Sequence, residues 1–250
     1  MKTHDTIRSV EERSLNAWPS LHQMLYDGWV LRFSNGYTRR ANSVSPIYRG
    51  RRGVYEKVLG CEEMYRKRRL QTVFKITPLA YPRDLDALLE DRGYQKEATT
   101  SVQMLNLKAQ AVADAGPAQV REGVDDNWLS DYARIKGMSP DEVISFRAIL
   151  DRIAAPKWFV SLAEDGEMVS AGLAVQEGDC AGLFGVVTHE TRRNQGFGRR
   201  LALALLNQTK AHGARTAYLM VTVTNDPALR LYAGLGFEEI YRYWYRVKGN

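Results

Sequence analysis

The stretch Thr188-His189-Glu190-Thr191-Arg192-Arg193-Asn194-Gln195-Gly196-Phe197-Gly198 decides the reading of this chain. Ahead of it, Leu183, Phe184, Val186 and Val187 form an apolar run with the composition of a buried strand. Behind it, Leu201, Ala204 and Leu205 recur at helical spacing, and Gly213 marks where that helix stops. The loop therefore joins a strand to a helix. Gly196 and Gly198 carry no Cβ to hold an anion away from the backbone, so successive N–H groups and the positive end of the helix face outward together. Arg193 and Arg199 add charged donors, and the whole reads as a phosphate cradle.

Spacing separates the kinds of phosphate loop. A dinucleotide fingerprint places a third glycine at position 201, which is Leu201 here, and no acidic ribose partner follows. A Walker loop needs Gly-Lys-Ser or Gly-Lys-Thr, and the chain has neither. What remains, Arg193-Asn194-Gln195-Gly196-Phe197-Gly198, resembles the Arg-x-x-Gly-x-Gly pyrophosphate signature of the GNAT superfamily of acetyl-CoA-dependent N-acetyltransferases. Downstream, Arg215 to Thr224 alternates and is rich in Tyr, Val and Thr, as a strand is. A helix follows, opened by the cap residue Asn225 and an early Pro227 and closed by Gly236-Phe237. The run Asn225-x-x-Ala228-x-x-Leu231-Tyr232-x-x-x-Gly236-Phe237 resembles the second hallmark of the same family, in the right order.

The resemblance implies roles. Val186, Val187 and Thr188 would lie on a splayed fourth strand whose backbone holds the acetyl-pantetheine arm. Arg193, Asn194, Gln195, Gly196, Phe197, Gly198 and Arg199 would hold the pyrophosphate. Asn225 matches a position that touches the cofactor, a role compatible with capping its helix, and Tyr232 matches the general acid that protonates the departing thiolate. The implied cosubstrate is acetyl-CoA, with no metal, and the implied reaction is direct attack by a primary amine of a small molecule or peptide. One feature departs from the family: residues 180 to 188 contain no carboxylate to serve as base. Glu177, Asp179, His189 and Glu190 are near in sequence but read as solvated loop or strand-end residues, and a water chain is the alternative base.

The first half repeats the second. Val44 to Gly53 lines up with the cradle, placing Arg49 against Arg193 at an interval of 144 residues, and Gly93-Tyr94 matches Gly236-Phe237 at 143. Thr72 to Thr77 then answers Tyr218 to Thr222, and Ser101 to Leu107 answers Tyr241 to Val247. The expected fold is α/β (α+β), with two GNAT-like domains, each a mixed, mostly antiparallel sheet flanked by helices. Residues 1–112 form a degenerate copy and 118–250 the catalytic one, joined near Ala109 to Ala118. In the first copy Arg52 replaces a cradle glycine, Leu89 replaces Tyr232 and Pro82 replaces Asn225. That copy is expected to bind no cofactor and to complete the core, wall the acceptor cleft, or do both.

Composition bounds the rest. The chain has 250 residues, 44% hydrophobic and 26% charged, with no run resembling a membrane span or signal peptide. Residues 1–117 hold 19 Lys or Arg against 13 Asp or Glu, whereas the remainder balances at 16 of each, so the whole excess of +6 lies in the first half. Arg66-Lys67-Arg68-Arg69 reads as a solvated helix face, and neither nucleic acid nor membrane is an expected partner. Two distant cysteines suit a reduced, cytoplasmic protein, and the four histidines form no metal-spaced cluster. Trp18, Trp29 and Trp158 read as core, and Tyr241, Tyr243 and Tyr245 as the buried face of a terminal strand. Two other functions remain open: a noncatalytic acyl-CoA-binding regulator, and a tandem-GNAT aminoacyl transferase that uses tRNA.

Overall fold

In the computed structural model, which describes residues 4–108 and 113–248, the chain runs α1 (His4–Ala17), β1 (His22–Tyr26), β2 (Trp29–Phe33), β3 (Val44–Ser45), α2 (Val54–Lys67), β4 (Val73–Ile76), α3 (Leu85–Asp91) and β5 (Tyr94–Asn106). The second half continues with β6 (Gln119–Arg121), α4 (Asp126–Lys136), α5 (Pro140–Asp151), β7 (Lys157–Glu164), β8 (Glu167–Glu177), β9 (Cys180–Thr188), α6 (Phe197–Ala211), β10 (Thr216–Thr222), α7 (Asp226–Ala233) and β11 (Glu238–Lys248). Local chemistry sets several boundaries. Asp125 caps α4 through the Trp128 N–H, and Gly137 ends it at φ 69°. Ser139 and Glu142 form a reciprocal capping box on α5, followed by Pro140 in the first turn.

The two separate sheets expected from the repeat are one. All strands of the described residues join in an eleven-stranded mixed sheet of order β1-β2-β3-β4-β11-β5-β10-β9-β8-β7-β6. The reason is a reciprocal exchange. β11 lies between β4 and β5, with Arg246 opposite Phe74 and Tyr243 opposite Thr100. β5 in turn lies between β11 and β10, with Val102 opposite Met220. Each half thus inserts its last strand beside the other half's strand, which pairs backbone groups that two separate sheets would leave at exposed edges.

Side-chain alternation sends β10 residues to opposite faces. Ala217 and Leu219 join the core under α6 and α7, whereas Tyr218 joins the core on the other face with Tyr241, Tyr243, Tyr245 and helices α1, α4 and α5. A third cluster, with Trp29, Phe74, Tyr65 and Leu89, lies under α2 and α3. The three tryptophans are buried as expected. On β11 the three tyrosines are buried as expected, and the opposite face is partly buried too. Arg246 is buried at 3% exposure, its guanidinium held by Asp86 at 2.7 Å and Glu90 at 3.1 Å.

The internal repeat persists in the element order, with one correction. Gly53 and Gly196 are the residues immediately before α2 and α6, so the loops align at 143 residues, not 144. Arg52 consequently stands where Gln195 does, and Gly53, at φ −58°, stands where Gly196 adopts +86°. Of the expected linker, residues 109–112 lie outside the described residues. Its remainder is docked on α6, where Asn207 donates to the Ala113 carbonyl and Arg200 to that of Ala115. No helix among the described residues is long and apolar enough to cross a membrane.

Candidate functional site

A gap in the sheet prepares the site. β9 pairs in parallel with β10 only from Cys180–Thr216 to Gly182–Tyr218, while β10 continues to Thr222 along β5. A bulge opposite Gly172 and a positive φ of 58° at Gly185 turn the far end of β9 away. Gly172 lets the strands approach closely here, since an added Cβ would stand 3.3 Å from the Val186 Cα. At that end the buried Ser170 hydroxyl donates to the Val187 carbonyl at 2.7 Å. Val187 therefore faces β8, as does His189, whose N–H donates to the Val169 carbonyl at 2.8 Å, so strand alternation turns the backbone N–H and C=O of Thr188 toward the gap. Of the three residues expected to offer backbone groups, alternation thus singles out Thr188, while Val186 lies within the bulge.

The glycine loop opens beside this edge. Asn194 at φ 60° and Gly196 at 86° bend the chain so that the backbone N–H groups of residues 194 to 199 have no acceptor among the described residues. Such a concave run at a helix N-terminus is an anion site. No described atom lies within 4 Å of a Cβ built on Gly196, whereas one on Gly198 would meet Leu231 at 3.1 Å. Gly196 therefore serves the bend and the open concavity, while Gly198 admits α7. Arg193 and Arg199 are exposed and carry no ion pair among the described residues. Arg192 is committed to Glu164 at 2.8 Å.

A cleft of about 850 Å³ unites Val186, Val187, Thr188, Arg193, Asn194, Gly196, Gly198, Arg199, Asn225 and Tyr232. Gln195 and Phe197 are not on its wall. Gln195 folds back to the Thr191 carbonyl at 3.0 Å, and the Phe197 ring is in the core at 5% exposure. Ile135, Lys136, Arg192, Arg230 and Leu231 also line the cleft. The spacing of Ala228, Leu231 and Tyr232 on one helical face was a usable signal for α7, but nothing in sequence brings in Lys136 from α4. Asn225 caps α7 through the Ala228 N–H at 3.2 Å and also faces the cleft.

Tyr232 is 8% exposed and packs edge-on against Phe237 at 5.7 Å. Burial pushes its phenol up to about 12, so it stays protonated. Its hydroxyl has no hydrogen-bond partner among the described residues. From Val186, Val187 and Tyr232 a second cleft of about 470 Å³ continues to Trp18, Tyr37, Arg40, Tyr243 and Tyr245. Its described lining contains no Asp or Glu. Glu177 and Asp179 sit at the opposite end of β9, where Asn16 donates to Glu177 and Arg215 to the Asp179 carbonyl. The His189 Nδ1 lies 2.9 Å from the Thr191 hydroxyl, and neither His189 nor Glu190 lines a cleft.

A family model described as "Probable histone acetyltransferase Rv0428c C-terminal" matches residues 4–246. The chain belongs to that family of GNAT-superfamily acetyltransferases. It is 27% identical over 249 residues to an uncharacterized N-acetyltransferase, YobR, of Bacillus subtilis (strain 168), covering 98% of this chain and 99% of the relative. It is 33% identical over 78 residues to the [ribosomal protein bS18]-alanine N-acetyltransferase of Escherichia coli (strain K12), 31% of this chain and 53% of that one. A GCN5-related N-acetyltransferase from Kribbella flavida shares the fold at TM-score 0.73 and 17% identity, covering 100% and 97% of the two chains. A tandem GNAT protein from the clavulanic acid biosynthesis pathway does so at 0.62 and 18%, covering 80% and 72%. These matches make the protein an acetyltransferase by family, as its two motifs imply.

Proposed function

We propose that this acetyltransferase takes its acetyl group from acetyl-CoA and passes it directly to a primary amine. The observation that carries the reading is the continuity of three features: unpaired N–H groups from residues 194 to 199, the open β9 edge, and the protonated Tyr232. The loop's chemistry fits a pyrophosphate. Backbone donors, the helix N-terminus, Arg193 and Arg199 all favour negative charge there. The backbone groups of Thr188 suit the amides of a pantetheine arm, and Asn225 adds a polar contact at the turn into α7.

Acetyl-CoA supplies an activated thioester. The acceptor nitrogen forms the new C–N bond as the C–S bond breaks, and the proton lost by nitrogen ends on sulfur. Tyr232 serves that transfer as a relay: a phenol near 12 is a weak acid, so it gives its proton to the thiolate only as the nitrogen's proton replaces it. A backbone N–H of the open strand steadies the oxygen charge that develops. The first half (1–112) is a copy without a working cradle, and the second (118–250) carries the chemistry. The test is calorimetric titration with acetyl-CoA followed by thiol release with amines. One saturable site and amine-dependent release support the reading; no binding ends it.

A further inference from the structure

The second cleft has a guanidinium that no acidic side chain of the described residues neutralises. Arg40 stands on its wall, over the rings of Trp18 at 5.7 Å and Phe184 at 5.5 Å, with its Nε buried and without a hydrogen-bond partner. Among the described residues no carboxylate pairs with it. Other buried arginines spend their terminal nitrogens inside the protein, though the Nε of Arg32 is likewise buried without a partner. Arg246 holds Asp86 and Glu90, and the terminal nitrogens of Arg32 are spent on the carbonyls of Arg40, Leu15 and Trp18. Arg39, beside Arg40, is engaged by Glu97. Holding a cation half-buried with an orphaned donor is costly unless an anion completes it.

We infer that the acceptor is a small amine bearing a carboxylate, and that Arg40 receives that carboxylate. This rests on the acetyltransfer reading and deepens it. A guanidinium fork matches a planar carboxylate through paired, charge-assisted hydrogen bonds. The aromatic walls given by Trp18, Phe184, Tyr243 and Tyr245 suit an apolar or aromatic body, and about 470 Å³ suits a molecule of amino-acid size. The absence of Asp and Glu from the described lining acquires a reason. No carboxylate of the described lining pairs with an ammonium, so the acceptor gives its proton to water and attacks as the neutral amine. Arg40 and Trp18 come from the first half, which thereby supplies acceptor recognition to the second half's chemistry.

The test uses the full chain, acetyl-CoA, and the twenty amino acids each paired with its α-carboxamide, together with an N-terminal peptide and a lysine peptide. Thiol release gives kcat/KM, and calorimetry gives acetyl-CoA affinity. At least one amino acid is expected to exceed its carboxamide by about tenfold or more. Arg40→Gln should bring the acid down toward the carboxamide's level, with a much smaller change for the carboxamide and none in acetyl-CoA affinity, and Arg40→Lys should fall between. Equal rates for acid and carboxamide, transfer only to peptides, no transfer to any amino acid, or an equal loss for both members in Arg40→Gln would each overturn the inference. If acetyl-CoA itself fails to bind, the acetyltransfer reading falls and this one with it. Binding and turnover without a carboxylate preference remove this one alone.

Discussion

The Asp27 carboxylate accepts the backbone N–H of Arg51 at 2.9 Å and of Arg52 at 2.9 Å, filling with the protein's own anion the first-half loop that precedes α2. Lys57 closes the arrangement, donating to the Asp27 carbonyl at 2.6 Å. Among the described residues the corresponding hairpin residue of the second half, Asp165, reaches only the Arg192 side chain, at 3.9 Å, and leaves the cradle's N–H groups open. The strand edge beside that loop is engaged as well. Val44, which falls on Val187 at the 143-residue interval, is paired with Phe74 of β4. Acetyl-CoA should therefore bind once per chain, and Arg52→Gly should not create a second site. Calorimetric stoichiometry decides it, and two sites in the unmodified protein would refute the silent first copy.

The same plug predicts a pH signature. The N–H groups of Arg51 and Arg52, then Lys57, hold Asp27 down at about 2 from 3.8. A carboxylate depressed in the folded state stabilises above its ordinary pKa, and that contribution disappears as pH falls through the folded value. Asp27→Asn should therefore unfold earlier than the unmodified protein at pH 6. The difference should narrow below about pH 4 and vanish toward pH 2. A constant difference across that range would mean that charge at Asp27 is not what matters.

For the second-half cradle, Gly196→Glu should abolish acetyl-CoA binding by placing a carboxylate where the N–H groups converge. Since Gly196 sits at φ 86°, any side chain there adds strain. Gly196→Asn is the control, because asparagine tolerates the left-handed region and brings no charge. Its affinity should fall less than that of Gly196→Glu at similar thermal stability. Unchanged affinity in Gly196→Glu would remove this loop from the donor site.

Much of this site was legible because its signals are local. Glycine spacing, a cap followed by proline, and a helical stripe from Ala228 to Tyr232 are each set within a few residues of chain. What sequence missed is set by long-range register. That β5 and β11 exchange places, making one sheet of two, depends on pairings such as Val102 with Met220, which leave no periodic trace different from that of separate sheets. Likewise Phe197 carries its motif position yet packs its ring in the core, and Val187 lies on the expected strand yet gives its carbonyl to Ser170. The one-residue slip at Arg52 arose because the arginines of both loops aligned better than the helix starts that fix their geometry.

Tyr232→Phe should lower kcat by roughly tenfold or more, within the range of a single proton-transfer group, while acetyl-CoA affinity stays unchanged. Because burial raises the phenol to about 12, the tyrosine remains protonated throughout the accessible range. The pH profile of kcat/KM should rise as the amine loses its proton and should show no alkaline fall below about pH 11 from this residue. Since the rising limb belongs to the acceptor, Tyr232→Phe should keep its midpoint and lose height. A kcat unchanged under chemistry-limited conditions would take Tyr232 out of the mechanism.

The exchange of strands also places a charged pair where the halves meet. Lys75 of β4 donates to Glu11 of α1 at 2.5 Å, with side-chain exposures of 3% and 0%, and the other Glu11 oxygen accepts the Tyr241 hydroxyl of β11 at 2.5 Å. The ammonium also lies 4.2 Å from the centre of the Tyr243 ring. Removing one member strands the other, which costs roughly 3–5 kcal/mol for buried pairs, whereas neutralising both costs less. Lys75→Met should thus destabilise on that scale in urea unfolding, and Glu11→Gln with Lys75→Met should recover part of the loss, since the glutamine oxygen still accepts from Tyr241. Under folding conditions both proteins should bind acetyl-CoA alike, because the pair lies outside both clefts. If the double variant loses as much as the single, the cost is one of packing, and charge burial does not couple α1 to the shared sheet.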